Sequence, residues 1–203
     1  MPEADPAKLC VVGLGNPGEE YVGTRHNVGF EVVDVLAARF DTHIRRPEFG
    51  ALTAVLSICR SEVFVMKPQT YMNRSGRSAA EALQALALRP DRLLAVYDDL
   101  DLPLGRLRIR QGGSTGGHRG VASLVAELGS EDFARLRVGI GRPPAGVATI
   151  DHVLSRFTAA ESEAAARAVA MAADAIESIV RTGIRAAMEI FNRAPVPPQL
   201  AAS

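Results

Sequence analysis

Four histidines occur in the 203-residue chain: His26, His43, His118 and His152. Imidazole exchanges protons near neutral pH, since the free side chain titrates near ~6.5. A lone histidine is more often structural than catalytic, so context decides. His26 lies in the polar stretch Thr24-Arg25-His26-Asn27, just past an apolar run at residues 8–14. Asp98 and Asp99 close a second apolar run, Leu93-Leu94-Ala95-Val96-Tyr97. Open α/β sheets collect their sites at the C-terminal ends of strands. A histidine and an aspartate meeting there make a base and its orienter, because the carboxylate selects the tautomer and stabilises the imidazolium. No serine or cysteine is read as a nucleophile, so such a base would act on water directly.

Other polar residues leave their readings open. Asn16 and Asn73 sit in polar loops, where an amide can donate to a developing oxyanion and accept from a substrate N–H. A loop asparagine equally serves as a turn residue or a helix cap. Arg106, Arg108 and Arg110 share one face of a strand by the two-residue period. A polyanion would relieve their mutual repulsion; so would a solvated sheet face.

Two glycine-rich stretches invite phosphate readings, and both fail on context. Gly13-Leu14-Gly15-Asn16-Pro17-Gly18 is a literal G-x-G-x-x-G. A dinucleotide loop needs a helix at once and an acidic residue ending the second strand. Here Glu19 and Glu20 follow, and the next strand meets Cys59-Arg60-Ser61. Gly112-Gly113-Ser114-Thr115-Gly116-Gly117-His118-Arg119 lacks the Lys-Ser/Thr ending of a P-loop. A generic anion contact at a helix start, or a plain flexible connection, remains.

The elements that must position these residues alternate. Strands are expected at residues 8–14, 51–58, 62–66, 93–97, 106–111 and 135–140. Helices are expected at 30–40, 75–88, 120–128 and 158–180, with a break at Gly183 and continuation to about Asn192. This alternation argues an α/β sheet with helices on both faces, in one domain. Residues 194–203 carry three prolines and read as a disordered tail. Apolar residues form 47% of the chain, enough for a core. Lys plus Arg and Asp plus Glu each number 23, so any nucleic-acid surface must be a local patch. Cys10 and Cys59 read as two buried free thiols in apolar strands, and neither has metal-ligand spacing. The N-terminus lacks the pattern of a signal peptide and no run of 18 apolar residues occurs, so a soluble cytoplasmic protein is expected.

Taken together, several segments resemble the bacterial-type peptidyl-tRNA hydrolase family. They are Gly13-Leu14-Gly15-Asn16-Pro17-Gly18 with Tyr21, Thr24-Arg25-His26-Asn27, and Lys67-Pro68-Gln69-Thr70-Tyr71-Met72-Asn73-Arg74-Ser75-Gly76. Asp98-Asp99-Leu100-Asp101-Leu102-Pro103, Gly116-Gly117-His118 and Arg135-Leu136-Arg137-Val138-Gly139-Ile140-Gly141 complete the set. Each is weak alone; jointly, in the family's order, they are specific. The resemblance implies one α/β domain over residues 1–193, a twisted mixed β-sheet surrounded by α-helices. It implies an esterase without cofactor or metal that cleaves the bond between a peptide and the 3′ ribose of tRNA, recycling peptidyl-tRNA from stalled translation. By resemblance His26 is the general base, Asp98 its orienter, Asn16 a reader of the N-blocked substrate, and Asn73 a substrate and oxyanion contact. Tyr21, Tyr71, Met72, Gly117 and Arg119 would meet the tRNA end. Arg108, Arg110 and Arg137 would meet acceptor-stem phosphates. The implied partner is peptidyl-tRNA alone, with no membrane and no obligate protein partner, which fits a monomer. Arg119 stands where the family usually carries Asn; a homologue that binds RNA with weak catalysis is the alternative it supports.

Overall fold

The computed structural model describes residues 9–193. The expected tail at 194–203 lies outside the described residues. Seven strands form one mixed sheet in the order β2-β3-β4-β1-β5-β7-β6. They are β1 (Leu9–Gly13), β2 (Arg46–Glu48), β3 (Ala51–Ile58), β4 (Ser61–Pro68), β5 (Leu93–Asp99), β6 (Leu107–Arg110) and β7 (Ala134–Gly139). β4, β1, β5 and β7 run parallel. β3 and β6 pair antiparallel to β4 and β7. The helices are α1 (Val28–Arg39), α2 (Ser75–Ala85), α3 (Arg119–Leu128), α4 (Thr149–Leu154), α5 (Ala159–Thr182) and α6 (Ile184–Phe191).

The two-residue period of the strands divides the core into two layers. Val11, Val65, Leu94, Val96, Ile109, Leu136 and Val138 point to one face and pack with α1 and α5. Cys10, Val12, Met66, Ala95 and Tyr97 point to the other, where α2 and α3 lie. The parallel strands are buried on both faces, which is why they read as continuous apolar runs. Helices cross from β1 and β4 to opposite faces. Those adjacent strands therefore open a crevice at their C-terminal ends, the usual place for a ligand in an open α/β sheet.

Gly29 on α1 makes a close approach possible. A Cβ there would collide with the Val96 carbonyl oxygen and meet Leu14 backbone atoms at 2.5 Å. The helix thus starts directly against the ends of β1 and β5. Gly13 faces Gly29 in the same contact, so this glycine serves strand–helix packing rather than a pyrophosphate.

Several expectations needed correction. Cys59 is exposed, with φ +52° in the β3–β4 turn; only Cys10 is buried. The apolar run ends at Ile58, and the tight hairpin turns the next residue outward. Arg106 precedes β6 rather than sharing its face with Arg108 and Arg110. β2 and α4 carry no sequence period that announces them; β2 is held by its pairing with β3.

Candidate active site

His26 sits in a single 3₁₀ turn, Arg25–Asn27, between the β1 loop and α1. Asp98 lies near the end of β5, beside β1 in the sheet. The topology therefore brings together two residues 72 positions apart. His26 Nδ1 is 2.8 Å from Asp98 Oδ1 and 3.0 Å from Oδ2. A carboxylate can only accept, so Nδ1 carries the proton and Nε2 carries the lone pair. The His26 side chain keeps 11% of its surface exposed while that of Asp98 keeps 2%.

A second histidine completes the arrangement. His118 Nε2 lies 3.0 Å from the same Asp98 Oδ1. Its Nδ1 accepts the backbone N–H groups of Gly120 and Val121 at 3.2 and 3.3 Å, capping α3. Those donors hold Nδ1 unprotonated, so Nε2–H must donate to Asp98. The Tyr97 ring lies against His118 in a tilted contact with centroids 4.7 Å apart, and the His26 ring lies 5.1 Å from His118. Burial alone would raise the Asp98 carboxyl. Electrostatic attraction to His118 and the hydrogen bonds from the His118 and His26 rings overcome it and hold the group well below the ordinary carboxylate range. In the sequence His118 stands at the end of a glycine loop and in the Gly116-Gly117-His118 motif, with no role of its own assigned. Its position immediately before a helical run, as a possible N-cap, was the available signal.

The nitrogens and oxygens of His26, Asp98 and His118 lie within 4.8 Å of one another, a spacing that could admit a metal ion. A metal on His118 Nε2 would require a proton on Nδ1, facing two backbone N–H donors. The donor set therefore suits proton sharing better than metal ligation.

Asn16 is buried and fixed from two sides. Asn27 closes on its backbone, accepting from Asn16 N–H at 2.8 Å and donating to Asn16 C=O at 2.9 Å. The Met72 N–H donates to Asn16 Oδ1 at 2.8 Å. That bond fixes the amide orientation and leaves Nδ2–H as the group Asn16 can offer. Met72 starts the 3₁₀ turn Met72–Arg74, so Asn73 follows directly. Asn73 is exposed in that turn, and Tyr71 is 59% exposed beside it. Tyr21 is half-buried at the end of another 3₁₀ turn, Glu19–Tyr21.

A cleft of ≈ 700 Å³ opens beside the His26–Asp98–His118 group. Gly117, Arg119, Arg110 and Arg137 line it, with Thr149, Ile150 and Val153 of α4. Arg119 is exposed at the first position of α3. The cross-strand register puts Arg108 opposite Arg137 and Arg110 opposite Arg135, all on the sheet face that carries α2 and α3. Arg137 pairs with Asp99, while Arg110 has no ion-pair partner among the described residues. Gly112-Gly113-Ser114-Thr115-Gly116 is a literal G-x-S-x-G within this lining. Ser114 is exposed in a long loop after an edge strand, with the helix starting only at Arg119. A nucleophile elbow requires a sharp strand-to-helix turn, and this loop is not one.

The fold is a mixed α/β sheet that holds a buried, hydrogen-bonded His26–Asp98–His118 group at the C-terminal end of its parallel strands. The family model described as peptidyl-tRNA hydrolase matches residues 10–199. The peptidyl-tRNA hydrolase of Carboxydothermus hydrogenoformans is 48% identical over 185 residues, covering 91% of this chain and 98% of that protein. That of Halalkalibacterium halodurans is 45% identical over 182 residues, covering 90% and 98%. The crystal structure of peptidyl-tRNA hydrolase from Acinetobacter baumannii superposes with a TM-score of 0.88 at 32% identity, covering 96% of this chain and 100% of that one. The chain belongs to the peptidyl-tRNA hydrolase family.

Proposed function

We propose that this protein hydrolyses the ester joining a peptide to the 3′ ribose of tRNA, with His26 as general base. The observation that carries the reading is the Asp98–His26 hydrogen bond, which leaves the Nε2 lone pair available at the edge of an open cleft. In the step proposed, His26 Nε2 takes a proton from water as its oxygen attacks the ester carbonyl. Asp98 stabilises the imidazolium so formed. The tetrahedral oxyanion collapses and expels the ribose oxygen, which takes the proton back from His26. A positioned base of this kind contributes roughly 10²–10⁴-fold.

Asn16 Nδ2–H and the Asn73 amide would donate to the substrate acyl group and its oxyanion. Tyr21, Tyr71, Met72, Gly117 and Arg119 would hold the 3′ end of the tRNA. Arg108, Arg110 and Arg137 would meet acceptor-stem phosphates from the uncovered sheet edge. Every group invoked comes from one chain, so the reading has the enzyme acting as a monomer. It has the protein in the cytoplasm, where its substrate arises; no helix among the described residues is long and apolar enough to cross a membrane.

The test compares hydrolysis of N-acetyl-aminoacyl-tRNA and free aminoacyl-tRNA by wild type and His26→Ala. Release from the blocked ester alone, lost in the variant with tRNA binding retained, supports the reading. Binding of tRNA without release by folded wild type would instead favour an RNA-binding role, with Arg119 the first residue to revert.

A further inference from the structure

Arg25 is buried, 4% exposed, one residue before the base. Its Nη1 donates to Ser155 Oγ at 2.7 Å, to Arg156 C=O at 2.6 Å and to Ser155 C=O at 3.3 Å. Its Nη2 donates to Glu161 Oε2 at 2.6 Å. The guanidinium carbon lies 5.0 Å from the centre of the Phe157 ring. The backbone repeats the link, with Arg25 N–H bonded to Ser155 C=O and a bridge between Thr24 and Arg156.

The acceptors belong to a segment with two other duties. Ser155 directly follows α4, which lines the cleft through Thr149, Ile150 and Val153. Glu161 Oε2 also accepts the Thr158 N–H and hydroxyl at 2.8 Å each, forming the capping box of α5. Burial would raise the Glu161 carboxyl, and the Thr158 and Arg25 hydrogen bonds bring it below its ordinary value instead. One guanidinium thus joins the base's turn, the wall of the cleft and the start of a 24-residue helix. Neither apolar layer of the sheet includes residues 155–158.

Resting on the hydrolase reading above, we propose that Arg25 is a positioning residue for the reaction. It anchors the Arg25–Asn27 turn so that His26 Nδ1 stays on Asp98 and Nε2 stays aimed into the cleft. Lysine cannot replace it: a single ammonium lacks the planar fork that reaches acceptors on two sides, and it loses the stacking on Phe157. A catalytic group displaced by about 1 Å can lose on the order of 10²-fold in rate.

The experiment uses the full chain as wild type, Arg25→Lys, Glu161→Gln and the double variant. Two readouts are taken: steady-state hydrolysis of N-acetyl-aminoacyl-tRNA, and the downfield proton resonance of His26 Nδ1–H. Arg25→Lys is expected to lower kcat by about tenfold to a hundredfold. KM, tRNA affinity and Tm should stay near wild type, and the resonance should broaden by exchange with water. Glu161→Gln should lower kcat less, and the double variant should fall short of the product of the two effects, because both cut the same link. A wild-type kcat with a sharp resonance in Arg25→Lys overturns the proposal. So does a parallel loss of kcat, tRNA affinity and Tm, which marks a purely structural role. If wild type itself fails to hydrolyse the ester, the functional reading falls, while the resonance still reports whether Arg25 holds the His26 turn.

Discussion

Replacing Asp98 by asparagine keeps the shape of the side chain and removes its charge. The carboxylate accepts from His26 through both oxygens and from His118 through Oδ1. An amide has one accepting and one donating end. With its oxygen at the Oδ1 position, that oxygen still accepts from both rings, but its NH₂ group replaces the second acceptor and opposes His26 Nδ1–H at the 3.0 Å contact. With its nitrogen there, two imidazole N–H groups face a donor, and His118 cannot change tautomer while Gly120 and Val121 donate to its Nδ1. His26 can escape by moving its proton to Nε2, which abolishes the base. The charge matters as well. An imidazolium roughly 4 Å from a carboxylate at an effective dielectric of about 20 gains about 4 kcal/mol. Each 1.36 kcal/mol is tenfold in rate, so this corresponds to about 10³-fold. Asp98→Asn should therefore lower kcat for N-acetyl-aminoacyl-tRNA about 10³-fold, with KM little changed. Stopped-time measurement of released peptide against pH is the assay. Activity within tenfold of wild type at neutral pH would refute the reasoning, because neither the tautomer nor the charge would then matter.

Four further outcomes are expected. Gly29→Ala should destabilise the protein by about 1–3 kcal/mol or more, seen as a lower Tm, since the added carbon meets the backbone of Val96 in β5 and of Leu14 just past β1. Arg110→Ala should weaken tRNA binding without changing kcat and reduce the slope of log K against log salt by about 1, measured by filter binding. A thiol reagent near pH 8 should modify Cys59 rapidly and Cys10 only on unfolding. Burial pushes the Cys10 thiol up to about 12. A raised folded-state value means that its contribution to stability holds below the ordinary thiol range and fades as pH climbs toward that value. Urea midpoints of wild type and Cys10→Ala across alkaline pH should therefore converge.

The parallel strands were legible because burial on both faces leaves compact apolar runs, and β1, β4 and β5 carry them. α2 and the α5–α6 break were legible through helical spacing and Gly183. β2 was not, since Arg46, Pro47 and Glu48 have no pattern of their own and become a strand only by pairing with β3. Cys59 was misplaced because an apolar neighbourhood does not reveal that the backbone turns over at that residue. His26 and Asp98 were legible as candidates from their places at strand ends. Their roles depend on distances that no spacing encodes. β1 and β5 lie side by side, so a turn after one reaches the end of the other. His118 joins them because α3 starts at the same edge and fixes its tautomer with two backbone donors. Residue types and local periodicity thus determined which chemistry was available and which elements would carry it. Only the order of strands in the sheet, a balance of long-range contacts, decided that one aspartate would hold two histidines and leave a single nitrogen open to the cleft.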